Sequence, residues 1–313
     1  LGARQVAEAA LTLEPTWAVS TFRAMGSRCR IVAPTSHEVD RGRATVERLE
    51  QSWTRFRPDS ELNWLNAGAG RLCLVSDDLH AVLTVAERAH RISKGTFDIR
   101  CLDAVEGVGY TRSWDEGSVD ATDSTFDPDA VPTLPADDQF VLFDEPPAVI
   151  VPSGHRLDLG GIGKGFAADV VADELIAAGA ACVQVELGGD VRVAGSGWTD
   201  GGWTVEIEHP HDPDRVVATV DIDEGAVATS SVLKRRWRNH GVVSHHLIDV
   251  RTMQSADTDL VAVTAIADRA WRAEVAAKCA LIAGATDAAD VVDSFGAGAL
   301  LFGADGTIVE VNR

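Results

Sequence analysis

The residues best placed to do chemistry lie in Asp158–Asp169, DLGGIGKGFAAD. Gly160, Gly161 and Gly163 precede a predicted helix, and such a turn lets backbone approach a ligand closely while the helix N-terminus offers free N–H groups to phosphate oxygens. Lys164 adds a point charge, so the segment reads as an anion cradle. It is neither a GxxxxGK[ST] loop nor a GxGxxG dinucleotide turn; the competing reading is a glycine turn required only by chain geometry. Gly188-Gly189-Asp190 taken alone is a tight corner between strands, and Gly95-Thr96-Phe97-Asp98 is weaker still. His209, His211, His240, His245 and His246 show no HExxH-type spacing, and the first three read as surface or loop histidines. Glu274 and Lys278 stand one helical turn apart, in the order that favours a solvated salt bridge. Their neighbours Ala273, Val275, Ala276, Ala277, Cys279 and Ala280 are apolar, however, which points that pair toward a pocket.

The elements that must carry these residues follow from periodicity and punctuation. WAVSTFRAMGSRCRIVAP alternates apolar and polar residues and reads as a strand or hairpin broken at Met25-Gly26. Ser36 is expected to cap a helix to about Trp53, TRFRPDSELNWLN is a turn leading into a short helix, and a second long helix spans about 78–93. Residues 113–150 read as a surface excursion with one strand at 140–143. HRLDLGGIGKGFAADVVADELIAAGA predicts a short strand, the glycine turn and a helix ending at Gly179. Strands are expected at ACVQVEL, DVRVAG, WTVEIEHP, VVATVDI, GAVATSS, HHLIDV and LVAVTAIA, followed by a helix over 267–284 and a closing hairpin that turns at Asp305-Gly306. Strands in hairpin-like succession with helices interspersed favour an α+β fold with mixed sheets over a doubly wound one.

Composition narrows the function classes. The chain has 313 residues, 28 basic against 48 acidic for a formal charge of −20, and 45% hydrophobic residues. That length buries a core by packing alone, and the acidic excess argues against a nucleic-acid or anionic-membrane partner while leaving room for a local anion pocket. Five scattered cysteines without a CxxC pair fit reduced thiols. No apolar stretch approaches a membrane span and the first residues lack a signal-peptide pattern, so the expected location is cytoplasmic or cytoplasm-facing. Only four basic residues are lysine: Lys94, Lys164, Lys234 and Lys278. In so arginine-rich a chain, a lysine marks a place where arginine would not serve.

Taken together and in order, Met25-Gly26, TRFRPDSELNWLN (54–66), GTFD (95–98), DLGGIGKGFAAD (158–169), ELGGD (186–190), ATSS (228–231), HLID (246–249) and the helix at 273–280 resemble the FAD:protein FMN transferase family, the ApbE-like flavin transferases. The resemblance implies a two-lobed α+β fold with mixed or antiparallel sheets and flanking helices. It makes residues 17–313 a single domain with FAD in the cleft between lobes, preceded by an arm at 1–16. It implies Mg²⁺-assisted transfer of FMN from FAD onto a Ser or Thr hydroxyl of an acceptor flavoprotein, with release of AMP. Met25, Thr96, Phe97, Asp98, Asp158, Ser230 and Leu247 would contact FAD, and Phe56 would stack where the family has Tyr. Lys164 would reach the diphosphate, and His246 would act as general base or as a phosphate-facing donor.

The metal would sit on the Gly161 carbonyl and on positions 274 and 278. The family's Asp and Thr are here Glu274 and Lys278, and a protonated ammonium cannot ligate a dication. The HxxDPxTG pattern carries Val250 for Pro and Met253 for Gly, and TSG reads Thr229-Ser230-Ser231. Two alternatives share the pocket: a non-catalytic FAD-binding protein with Lys278 replacing Mg²⁺, and an FAD pyrophosphatase giving FMN and AMP.

Overall fold

In a computed structural model of the chain, residues 17–113, 139–195, 202–239 and 241–312 are described. The expected arm at 1–16, most of the 113–150 excursion and His240 lie outside them. The chain opens with a hairpin, β1 (Ala18–Ala24) and β2 (Ser27–Ala33), turning at Met25-Gly26, the second of the two readings of that stretch. Helix α1 (Ser36–Trp53) starts from Thr35, one residue before the expected cap. Thr35 Oγ1 accepts from the Glu38 amide at 3.3 Å while the Glu38 carboxylate accepts from the Thr35 amide at 2.8 Å, a capping box that makes Ser36 the first helical residue.

Next come α2 (Glu61–Ala67), β3 (Leu72–Leu74), α3 (Asp77–Ile92), α4 (Leu102–Gly107), β4 (Val141–Phe143) and β5 (Ala148–Ile150). The three strands form a small sheet, of which only the middle one in chain order was expected. The strand predicted just before the glycine turn is absent. Leu157 N donates to Asn66 Oδ1 at 2.7 Å and Leu157 O accepts from Asn66 Nδ2 at 3.0 Å. A side-chain amide thus satisfies the backbone that a neighbouring strand would otherwise bond.

Helix α5 (Gly163–Ala177) leads to β6 (Cys182–Leu187), β7 (Asp190–Gly195), β8 (Trp203–His209), β9 (Asp212–Ile222) and β10 (Gly225–Ser231). The short strands β11 (Arg236–Asn239), β12 (Val242–His245), β13 (Ile248–Asp249) and β14 (Gln254–Ser255) follow. HHLIDV is therefore two strand ends with a break at His246-Leu247. Ser255 Oγ accepts from His245 N at 2.9 Å and donates to His245 O at 2.7 Å, which ends the ladder there. The chain closes with β15 (Leu260–Ala267), α6 (Ala270–Ala283), α7 (Ala288–Ser294), β16 (Gly298–Gly303) and β17 (Ile308–Val311).

The main sheet runs β1-β2-β6-β7-β10-β15-β16-β17, and every ladder among the described residues is antiparallel, so the α+β reading holds with no mixed sheet. One face is covered by α1, α5 and α6 over a core that includes Ile31, Leu49, Val171, Leu175, Val263 and Ala276. The β8–β9 ribbon covers the other, where Trp203, Val205 and Ile222 pack with Val32, Val193 and Val227. No helix among the described residues is long and apolar enough to cross a membrane.

Helices α5 and α6 fix each other end to end. Asp169 in α5 accepts from the Ala270 and Trp271 amides at 3.0 Å each, and Glu274 in α6 accepts from the Gly165 amide at 2.8 Å. Each carboxylate satisfies amide donors that a helix start leaves without an intrahelical partner. Gly165 permits the approach: a Cβ there would stand 2.6 Å from Ala270 O.

Candidate functional site

A cavity of about 340 Å³ opens where the β1–β2 turn, the loop after α1, the 96–98 loop, the glycine turn, the 246–250 segment and α6 meet. Met25, Phe56, Thr96, Phe97, Asp98, Asp158, Gly161, Lys164, His246, Leu247 and Lys278 all line it. Two expected residues do not. Ser230 is buried in β10 opposite Val263, and Glu274 lies beneath the cavity floor, bonded to Lys164.

Met25 holds φ 52°, a left-handed conformation that costs an L-residue about 1–2 kcal/mol. Its amide donates to the Glu50 carboxylate in α1, which pins the turn over the cavity. Phe56 is partly exposed at the rim, edge-on to Tyr110 at 5.8 Å between centroids. The Arg55 guanidinium lies 4.2 Å from the Phe56 ring and 4.8 Å from Tyr110, and it donates to Tyr110 O at 2.6 Å. Arg55 also stands 3.4 Å from Asp158, whose other oxygen accepts from Gly160 N at 2.7 Å. The Asp98 carboxylate is engaged by Arg100 on both oxygens and lies 3.4 Å from His90. It braces the loop, while Phe97 presents its ring to the cavity.

The amides of the glycine turn are less available than the sequence suggests. Gly160 donates to Asp158, Ile162 and Gly163 donate to Leu159 O, and Gly165 donates to Glu274. The positive charges on the lining are the side chains of Arg55, Arg57, Lys164, Arg235 and Lys278. Lys164 donates to Asp190 and, at 2.6 Å, to Glu274. Burial disfavours its ammonium, but the two carboxylates outweigh that and hold its pKa above the ordinary lysine value. Burial lifts Asp190 to about 6, opposed by Lys164 and helped by Glu274. Burial acts on Glu274 too, yet Lys164 and Lys278 prevail and keep it ionised below the usual range.

Lys278 is not paired with Glu274 one turn away. Its Nζ donates to Gly161 O at 2.6 Å and lies 5.8 Å from the Phe97 ring centroid. A Cβ at Gly161 would come within 2.4 Å of that nitrogen. His246 Nδ1 is shut off from solvent with no partner. Burial, then the charges of Arg235 and Lys278, push its pKa well below 6.5, so the imidazole is neutral at physiological pH.

The positions that the resemblance gives to Mg²⁺ do not fit the ion. The Gly161 carbonyl is capped by an ammonium, and both Glu274 oxygens accept from N–H donors. A hard dication needs several free oxygens, and among the described residues no three His, Cys, Asp or Glu side chains gather as a metal group.

Sequence reasoning missed Arg55, Arg57, Tyr110 and Arg235, which also line the cavity. The Arg-Phe-Arg run at 55–57 was a usable signal for the first two. Arg235, which donates to Ser27 Oγ at 3.1 Å across the cleft, had none.

Against known proteins, the model of the ApbE family matches residues 25–301. The chain belongs to the ApbE family. An FAD:protein FMN transferase of Treponema pallidum is 28% identical over 288 residues, covering 83% of this chain and 77% of the relative. Another, of Vibrio cholerae, is 27% identical over 232 residues, 73% of this chain and 67% of its own. The crystal structure of the ApbE protein of Thermotoga maritima superposes with a TM-score of 0.83 at 23% identity, covering 95% of this chain and 97% of that one. That likeness confirms the ApbE fold.

Proposed function

We propose that this chain transfers the FMN moiety of FAD to a Ser or Thr hydroxyl of an acceptor flavoprotein and releases AMP. The observation that carries the reading is one cavity lined by Lys164, Lys278 and Arg235 together with a neutral His246. Cations of that number suit a diphosphate, and a neutral imidazole beside them suits proton removal from an incoming hydroxyl. The names of the relatives from Treponema pallidum and Vibrio cholerae agree with this.

In the reaction, the hydroxyl oxygen bonds to the flavin-side phosphorus and the bond from that phosphorus to the bridging oxygen breaks. AMP departs with that oxygen, and the hydroxyl proton passes to His246. Entry of the anionic diphosphate raises the basicity of His246 by offsetting the cations that depress it. Lys164, fixed by Asp190 and Glu274, meets charge on the phosphates without reorganising, which favours the transition state. Phe56, with Arg55 behind it, offers a ring to the isoalloxazine or adenine. Met25, Thr96, Phe97 and Leu247 shape the remaining wall. Five cysteines without a disulfide accord with a cytoplasmic setting.

The test is incubation with FAD and an acceptor protein carrying a flavinylation threonine, read by flavin fluorescence that survives denaturing electrophoresis and by AMP in equal amount. Free FMN with AMP and no labelled acceptor would identify hydrolysis instead; neither product would refute both.

A further inference from the structure

Of the cavity's two lysines, Lys278 is the less satisfied. An ammonium has three donors, and among the described residues the only hydrogen bond of this one is to Gly161 O. Its remaining donors stand beside the cavity, with His246 in the same lining. Lys164, in the same lining, is salt-bridged to Asp190 and Glu274. A dication added on Gly161 would have to displace Lys278 and take a Glu274 oxygen from Lys164 or from the Gly165 amide. It would then leave two lysine ammoniums beside it in a poorly hydrated floor, an arrangement with a large desolvation cost. The glycine fits the same reading, since any side chain at 161 would drive the ammonium off the carbonyl.

We propose that Lys278 is the resident cation of the diphosphate site, so that this chain binds FAD without a divalent metal. The proposal rests on the FAD reading above. With one N–H on Gly161 O, the ammonium turns its others to a non-bridging phosphate oxygen, and Lys164 serves as the second positive charge. The carbonyl fixes the ammonium's position much as a metal ligand would fix an ion, but with directional hydrogen bonds in place of coordination.

Isothermal titration of FAD and of riboflavin into the full chain, in EDTA and in millimolar magnesium, tests this. FAD affinity is expected to agree within about twofold between the buffers. Lys278→Met is expected to weaken FAD by about ten- to a hundredfold, as loss of a charged hydrogen bond does, and to leave riboflavin, which carries no phosphate, unchanged. Lys278→Arg is expected to recover part of the loss. A gain of about tenfold or more on adding magnesium to the unmodified protein would overturn the proposal while leaving FAD as the substrate, and this comparison needs no variant to fold. Unchanged FAD affinity in a folded Lys278→Met protein would also overturn it. No FAD uptake in either buffer would overturn this proposal and the transferase reading together.

Discussion

Replacing Glu274 by Gln separates the structural job of that carboxylate from any role as a ligand. Glu274 is 4% exposed and bonds Lys164 Nζ at 2.6 Å and Gly165 N at 2.8 Å. Glutamine can still accept from the Gly165 amide through its carbonyl, but its amide group then faces the lysine ammonium, donor against donor. Breaking a buried ion pair costs about 3–5 kcal/mol. Lys164 keeps Asp190, so the expected loss is smaller, about 2–3 kcal/mol, or roughly 3–5 °C in melting temperature for a chain of this size. The pH dependence has a definite sign. Glu274 is held below its ordinary value of 4.5 in the folded protein. Its contribution is therefore complete above that value and disappears as pH falls through the lower folded one, so wild type and variant should converge in acid. Urea unfolding at neutral pH and at the lowest pH at which the protein stays folded reads both effects. A neutral-pH difference under about 0.5 kcal/mol would show that the pair is not a structural one. FAD binding should be unchanged or tighter in the variant, because one negative charge leaves the floor of the cavity; a large loss would mean that Glu274 holds something the geometry does not provide for.

Phe56→Ala should lower apo stability by no more than about 1 kcal/mol, because the ring is partly exposed, yet sharply reduce the thermal stabilisation given by saturating FAD; a large apo loss with full FAD response would make the ring a core residue. For His246, the acid limb of kcat/KM should lie well below 6.5, since burial and the neighbouring cations favour the neutral ring; NMR titration of the free protein at 6.5 or above would contradict this. Gly165→Ala should cost about 1–3 kcal/mol, because its Cβ meets the backbone of Ala270 and Trp271. Gly161→Ala meets the movable end of Lys278 and should weaken FAD with little loss of stability, and equal stability losses for the two glycine variants would refute that distinction.

What the sequence determined by itself is the local structure. The hairpin around Met25-Gly26, the glycine turn running into α5, the β6–β7 pair and α6 follow from alternation, glycine placement and apolar faces, signals that lie within ten or twenty residues. The ordered motifs also nominated part of the cavity lining, including Met25, Phe56, Lys164, His246 and Lys278. Three-residue strands such as β3 and β5 carry too little pattern to be read, and the stretch before the glycine turn has a strand's composition while being paired to a side-chain amide. Tertiary structure alone decided the charges. Helical spacing puts Glu274 and Lys278 together, but packing of α5 on α6 hands Glu274 to Lys164, 110 positions away, and sends Lys278 to Gly161. A buried charge takes the partner that best offsets its desolvation, and that partner is set by which backbones approach closely enough, through glycines 161 and 165, and not by distance along the chain.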